Sequence, residues 1–137
     1  MNKKMLLAAL AAGVTAFFVG WLIFGIALMD FYEANTTHYD GLFKEEMNLW
    51  LILISNLLWG LLIAWVYGSF AGKKSMAGGA LTGFLLGLLI MTSFDLYFLG
   101  GWNLFTPTLI VVDIIANAVW LACAGAVAGV ILKTREK

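Results

Sequence analysis

The sequence predicts an all-α membrane protein with four transmembrane helices, and three observations carry that prediction. Of 137 residues, 63% are hydrophobic and 12% charged, whereas a soluble domain carries roughly 25% charged residues. Apart from Asp95 and Asp113, the charges fall outside four apolar runs: Met5–Met29, Met47–Phe70, Met76–Tyr97 and Pro107–Leu132. Each run is long enough for the roughly 20 residues a helix needs to cross a bilayer. Finally, the pattern Ile-x-Asn-x-x-Trp occurs twice, as Ile54–Trp59 and Ile115–Trp120, offset by 61 residues inside the second and fourth runs. A tandem duplication of a helical hairpin follows, with repeats over 5–70 and 76–132 in a single domain, 1–137. Strand-like alternation is absent, and in lipid a helix satisfies its own backbone hydrogen bonds.

The first run opens with Lys3, Lys4 and an Ala-rich stretch, as a signal peptide would. At 25 residues it is longer than the roughly 7–15 of a signal core, so a retained helix is expected. The loop that follows, Asp30–Asn48, holds five carboxylates (Asp30, Glu33, Asp40, Glu45, Glu46) and one lysine, Lys44. Its last residues, Gly41–Asn48, are expected to start the second helix early, with Leu42, Phe43 and Met47 on one side. His38 sits among these acids without a second histidine at helical spacing, so no metal site is expected. Ala71–Ser75 is a tight turn. The third loop, Phe98–Thr106, is uncharged, contains Gly100 and Gly101, and ends in Thr106-Pro107, a helix-start signal. A second echo, Asp30-Phe31-Tyr32 and Asp95-Leu96-Tyr97, is offset by 65 residues.

Lys3, Lys4, Lys73, Lys74, Lys133, Arg135 and Lys137 belong to the termini and second loop, against Lys44 alone in the first loop. The positive-inside rule then places both termini in the cytoplasm and the first and third loops outside. The second and fourth helices run the same way, so the halves are expected to be related by a pseudo-twofold along the membrane normal. Small residues recur at spacing four: Ala8, Ala12, Ala16 and Gly20; Gly60, Ala64, Gly68 and Gly72; Gly79, Gly83 and Gly87; Gly125 and Gly129. Such ridges let helices approach closely, within one chain or between chains.

Tyr32, Trp50, Tyr97 and Trp102 are expected in the outer aromatic belt, and Trp65, Tyr67 and Phe70 in the inner one. Trp21, Trp59 and Trp120 lie within the spans, either as core packing or as an aromatic wall around a site. Asp113 is the costly residue. It lies six residues past Pro107, about 9 Å along the helix, and no lysine or arginine within a span can pair with it. Asn117 is one turn further on the same face, and Asn56 is its counterpart in the first motif. With Asp95, these residues outline a polar vestibule in the outer half of the bundle, whereas the inner half offers mainly Gly and Ala.

The formal net charge is zero, which gives no electrostatic basis for nucleic-acid binding. Cys123 is the single cysteine and can form no internal disulfide. The chain shows no nucleophile–base pairing, P-loop or dinucleotide motif, so neither an enzyme nor a cofactor is expected. Two readings stand. In one, the protein is an accessory or structural subunit that packs through its glycine ridges into a homo-oligomer or against a larger membrane partner. In the other, it handles a solute or ion at the vestibule, with Asp113 responding to protons or cations.

Gly101-Trp102, Thr108 and Val112-Asp113-Ile114, followed by a Gly-rich helix end, form a pattern over about 95–132. The pattern resembles families of small four-helix bacterial inner-membrane proteins, in which a Gly-Trp loop precedes a helix opening with Thr and Val-Asp. The resemblance implies a four-helix fold and a bacterial cytoplasmic membrane, with no agreed activity. Where that pattern has Trp-Gly soon after the Asp, this chain has Ala116-Asn117, with Trp120 a turn later.

Overall fold

Each long helix begins at a side chain that caps it. Asn2 accepts from Met5 N at 2.9 Å, Asn48 from Leu51 N at 3.1 Å, Ser75 from Gly78 N at 3.0 Å and Thr106 from Leu109 N at 3.1 Å. Each cap satisfies one of the amides a helix start leaves open. In the computed structural model, which describes residues 2–42, 44 and 46–134, the helices are α1 (Lys3–Leu22), α2 (Met29–Asn35), α3 (Leu49–Phe70), α4 (Met76–Gly101) and α5 (Pro107–Leu132). A π-helical turn, Ile23–Ala27, extends α1. No strand occurs among the described residues. Phe43 of the expected early helix start, Glu45 of the acidic loop, and Arg135 and Lys137 of the basic set lie outside them.

Four segments are long and apolar enough to cross a membrane: Lys3–Ala27, Leu49–Phe70, Met76–Gly101 and Pro107–Leu132. The last matches the sequence expectation. The others differ at their ends. α3 starts at its Asn48 cap, and Gly41 instead takes a left-handed turn, φ +76°, ahead of it. α4 continues through Gly100 and Gly101, which the sequence places in a loop. The short α2 is an element that apolar periodicity does not announce.

Half of the α5 span is buried, against 17% of α3 or α4, so α5 is the axis of the bundle. α1 packs along both α3 and α5, and α4 lies on α5. α3 and α4 make few contacts. They are tied at the connecting turn, where Tyr67 Oη donates to Ser75 O and accepts from Ser75 N. Tyr67 is therefore a buried fastener and no belt residue.

Glycines set the α4–α5 distance. A Cβ on Gly79 would lie 2.2 Å from Gly125 O, one on Gly83 2.0 Å from Leu121 O, and one on Gly87 2.7 Å from Asn117 O. The register steps one turn down α5 for each turn up α4, from Ser75 on Gly129 to Gly87 on Asn117. On α1 and α3, Gly60 meets Ala9 O and Gly13 N, both at 2.3 Å, and Gly13 meets Leu57 Cα at 2.7 Å. The small-residue ridges are thus used up within the chain. Gly72, Gly100 and Gly101, in contrast, face open space.

The basic end of the bundle is closed by its own hydrogen bonds. Lys4 Nζ donates to Lys133 O at 3.0 Å, and Lys74 and Thr134 exchange two bonds, each 3.1 Å. At the opposite end, α2 is stitched to the segment before α5. Thr37 N donates to Leu104 O at 2.7 Å and Thr106 N to Asn35 O at 3.0 Å, while Thr106 Oγ1 donates to Asn35 Oδ1 at 2.8 Å.

Gly83→Ala should cost on the order of 1–3 kcal/mol, because its methyl meets backbone with no flexible neighbour to yield. Gly100→Ala should be close to neutral. Unfolding in mild detergent distinguishes them, and equal stability of the two variants would contradict the packing described.

Candidate functional site: a carboxyl pair in an aromatic cleft

At the end opposite the basic cluster, the sparse contact between α3 and α4 leaves a cleft of about 490 Å³. α5 supplies Leu109 and Asp113, and α4 supplies Met91, Phe94, Asp95 and Phe98. Trp59 contributes from α3, Phe105 from the third loop, Tyr32 from α2 and Thr36 from just past its end. Apart from Tyr32, Thr36 and the two carboxyl groups, the lining is apolar.

Asp113 is held from two sides. Tyr32 Oη donates to Asp113 Oδ1. Asn117 Nδ2 donates to Asp113 Oδ2 at 2.6 Å and to the Asp113 carbonyl at 2.9 Å, the one-turn spacing that the sequence places on one face. Asp95 lies close enough for its carboxyl group to share a hydrogen bond with that of Asp113. Asp95 is only 8% exposed, and its Oδ2 is buried with no hydrogen-bond partner. The register explains the approach. Carried on at the same spacing, that register brings Met91 level with Asp113 and Asp95 level with Leu109, so the two carboxyl groups lie one helical turn apart along the cleft that both line.

The structure therefore brings Asp113, Asn117 and Asp95 together and leaves Asn56 apart. Asn56 Nδ2 turns back to Ile52 O at 2.7 Å, its Oδ1 has no partner, and among the described residues no hydrogen bond joins it to Asn117. Of the three tryptophans, Trp59 lines the cleft. Trp120 stands behind it, edge-on at 6.1 Å, with its Nε1 donating to Ala16 O at 2.7 Å. Gly20 makes room for that indole, since a Cβ there would lie 3.0 Å from Nε1. Trp21 points away and is 59% exposed, so it forms no part of a wall.

Tyr32 is the residue the sequence misplaces. In place of an outer belt position, it turns inward as the lid donor on Asp113. The π-turn redirects the chain after α1, with Leu28 N bonding Ile23 O at 2.8 Å, and such turns often lie at functional sites. Phe24, within that turn, stands edge-on to Tyr32 and to Trp120, each at 5.9 Å. Burial, then the hydrogen bond to Asp113 and the charges of Asp113 and Asp95, hold the Tyr32 phenol well above its ordinary range.

Among the described residues, no group of three His, Cys, Asp or Glu side chains converges as a metal would require. Comparison with family models, curated proteins and solved structures yields no match to this chain.

The folded state favours the neutral phenol of Tyr32, so its contribution to stability is complete below about pH 10 and is lost as pH rises through the higher folded value. Tyr32→Phe should remove one late-titrating phenol from an alkaline absorbance titration. It should also cost about 1–3 kcal/mol near neutral pH, because a half-buried carboxyl group loses its donor. Loss in the variant of a phenol that titrates in the ordinary range, at about pH 10, would place Tyr32 in solvent.

Proposed function

We propose that the chain is a polytopic protein of the cytoplasmic membrane that handles a cationic solute or proton at an outward-facing cleft. The observation that carries this reading is the Asp95–Asp113 pair, with one oxygen buried and unpartnered, in a cleft that no lysine or arginine of the spans can neutralise. Two carboxyl groups this close in a medium of low dielectric constant cannot both stay ionised without a cation, so the pair holds either a proton or a positively charged ligand. Asp113, bonded by Tyr32 and Asn117, is the carboxyl group better supplied with donors, and Asp95 is the one with an oxygen left open.

The accessory-subunit reading drew on glycine ridges free to meet a partner. Those ridges are occupied by α1–α3 and α4–α5 packing, which shifts the balance toward the cleft. Outward orientation is supported by the gathering of Lys3, Lys4, Lys73, Lys74 and Lys133 at the far end. Cysteines at Asp40 and Gly72 in a Cys123→Ala background test it: the first should react with an impermeant thiol reagent on intact cells and the second should not.

A duplicated hairpin is supported by contacts that superpose. Gly13 on Asn56 corresponds to Gly87 on Asn117, and Ala9 against Gly60 corresponds to Gly83 against Leu121. The offset stays 61 for α3 and α5 and becomes 74 for α1 and α4, the longer first loop accounting for the difference. The Asp-x-Tyr echo at offset 65 does not fit this frame, since Asp30 and Tyr32 lie in α2 and Asp95 and Tyr97 in α4. α1 packs on α5 more extensively than α3 on α4, so the halves stack head to tail and depart from the twofold expected from sequence.

Infrared difference spectra across about pH 4–9 test the pair. A carboxyl band that titrates in the wild type, and is removed or displaced in both Asp113→Asn and Asp95→Asn, is expected. No titrating band in a folded protein would reduce both residues to packing and return the accessory reading to first place.

A further inference from the structure

We propose that the cleft binds a monovalent organic cation, its ammonium group seated on the Asp95 and Asp113 carboxyl groups and its apolar part against Trp59, Phe94, Phe98 and Phe105. This deepens, and rests on, the reading of the cleft as a cation or proton site.

Four observations select this ligand class. Asp95 is more than nine-tenths buried, lines the cleft and leaves Oδ2 unpartnered, so a donor is missing there. The walls are aromatic and apolar on three elements, α3, α4 and the third loop. Aromatic faces attract cations and shelter hydrocarbon at the same time. The volume, about 490 Å³, falls within the roughly 300–1,000 Å³ of small-molecule pockets. The oxygen supply is too poor for calcium or magnesium: the polar lining is Tyr32, Thr36, Asp95 and Asp113. Calcium takes about 6–8 oxygens, and magnesium needs a near-ideal octahedron.

The titratable groups that meet there are Tyr32 from α2, Asp95 from α4 and Asp113 from α5. α3 carries no charged residue, and the charges of α1, Lys3 and Lys4, lie at the opposite end. Proton and cation therefore compete for one pair. When the cation enters, the proton held between the carboxyl groups leaves to solvent, and the charge within the cleft is unchanged. The gap between α3 and α4 places the ligand's apolar part beside the bilayer, where Phe94 is exposed.

Benzylammonium, which carries the N–H donors that Asp95 Oδ2 lacks, and its uncharged isostere ethylbenzene are the probes, titrated calorimetrically into full-length protein in a nonionic detergent. Binding in excess of an Asp95→Asn/Asp113→Asn double variant is expected for the cation alone. Its affinity should rise with pH by up to tenfold per unit, the limit for one proton exchanged. Trp59→Leu should weaken binding severalfold, Trp21→Leu should not, and Asp95→Glu should retain binding where Asp95→Asn loses it. Equal binding of the isostere, or undiminished binding in a folded Asp95→Asn variant, overturns the proposal. A carboxyl band that titrates without any cation binding overturns it too, while leaving the broader reading intact; loss of both removes both. An ammonium group could arrive free or on a lipid headgroup. Displacement of the probe by a stoichiometric short-chain phosphatidylethanolamine would assign the lipid, and its absence the free cation.

Discussion

The close approach of α4 to α5 is the constraint on which the rest depends. Gly79, Gly83 and Gly87 put α4 against the backbone of α5 with no side chain between them. The same register carries Asp95 to within one turn of Asp113. Between lipid-facing helices no hydrophobic force drives association, so packing and hydrogen bonds must hold them. A glycine interface supplies the packing, and it also places two carboxyl groups within reach of each other. The cost of that juxtaposition is lowered by Tyr32 and Asn117, which donate to Asp113.

The cleft exists because the opposite side is packed differently. α1 fills the space between α3 and α5, and Trp120 anchors it through Ala16 O. α3 and α4 are left apart, with Trp59 and Phe94 facing the gap. The π-turn and α2 then fold over this opening, held by the Asn35–Thr106 and Thr37–Leu104 bonds. A single polar residue of α2, Tyr32, closes the circuit on Asp113. Lid, floor and wall come from different segments, which gathers the carboxyl groups of the spans at one end, while the other end is closed by hydrogen bonds of Lys4, Lys74, Lys133 and Thr134.

Much of the fold was legible because lipid imposes simple rules. Apolar run length located four spans, and Thr106-Pro107 fixed the start of α5 to the residue. Asp113 with Asn117 was legible as a pair through helical spacing, and Asp95 through its place in the outer part of a span. Tyr32 was not, because its inward turn depends on a π-turn with no composition signal and on loop bonds between residues 71 apart in sequence. Trp21 and Trp120 both lie within spans, and the sequence cannot say which faces lipid. Gly20 beside Trp120 separates them only once α1 is docked on α5. Asn56 shared a motif with Asn117 but not a partner, since no carboxylate stands one turn before it: position 52 is Ile. The Asp-x-Tyr echo was a resemblance of letters on unlike elements.

The central claim is that Asp95 and Asp113 form one proton-sharing unit. Solid-state NMR of protein labelled with ¹³C-aspartate in bilayers tests it most directly. Near neutral pH, a through-space correlation should link the two side-chain carboxyl carbons, with one proton bound to the pair, and Tyr32→Phe should shift the Asp113 signal. Two carboxyl signals without mutual correlation, both in the ionised range, would contradict the account.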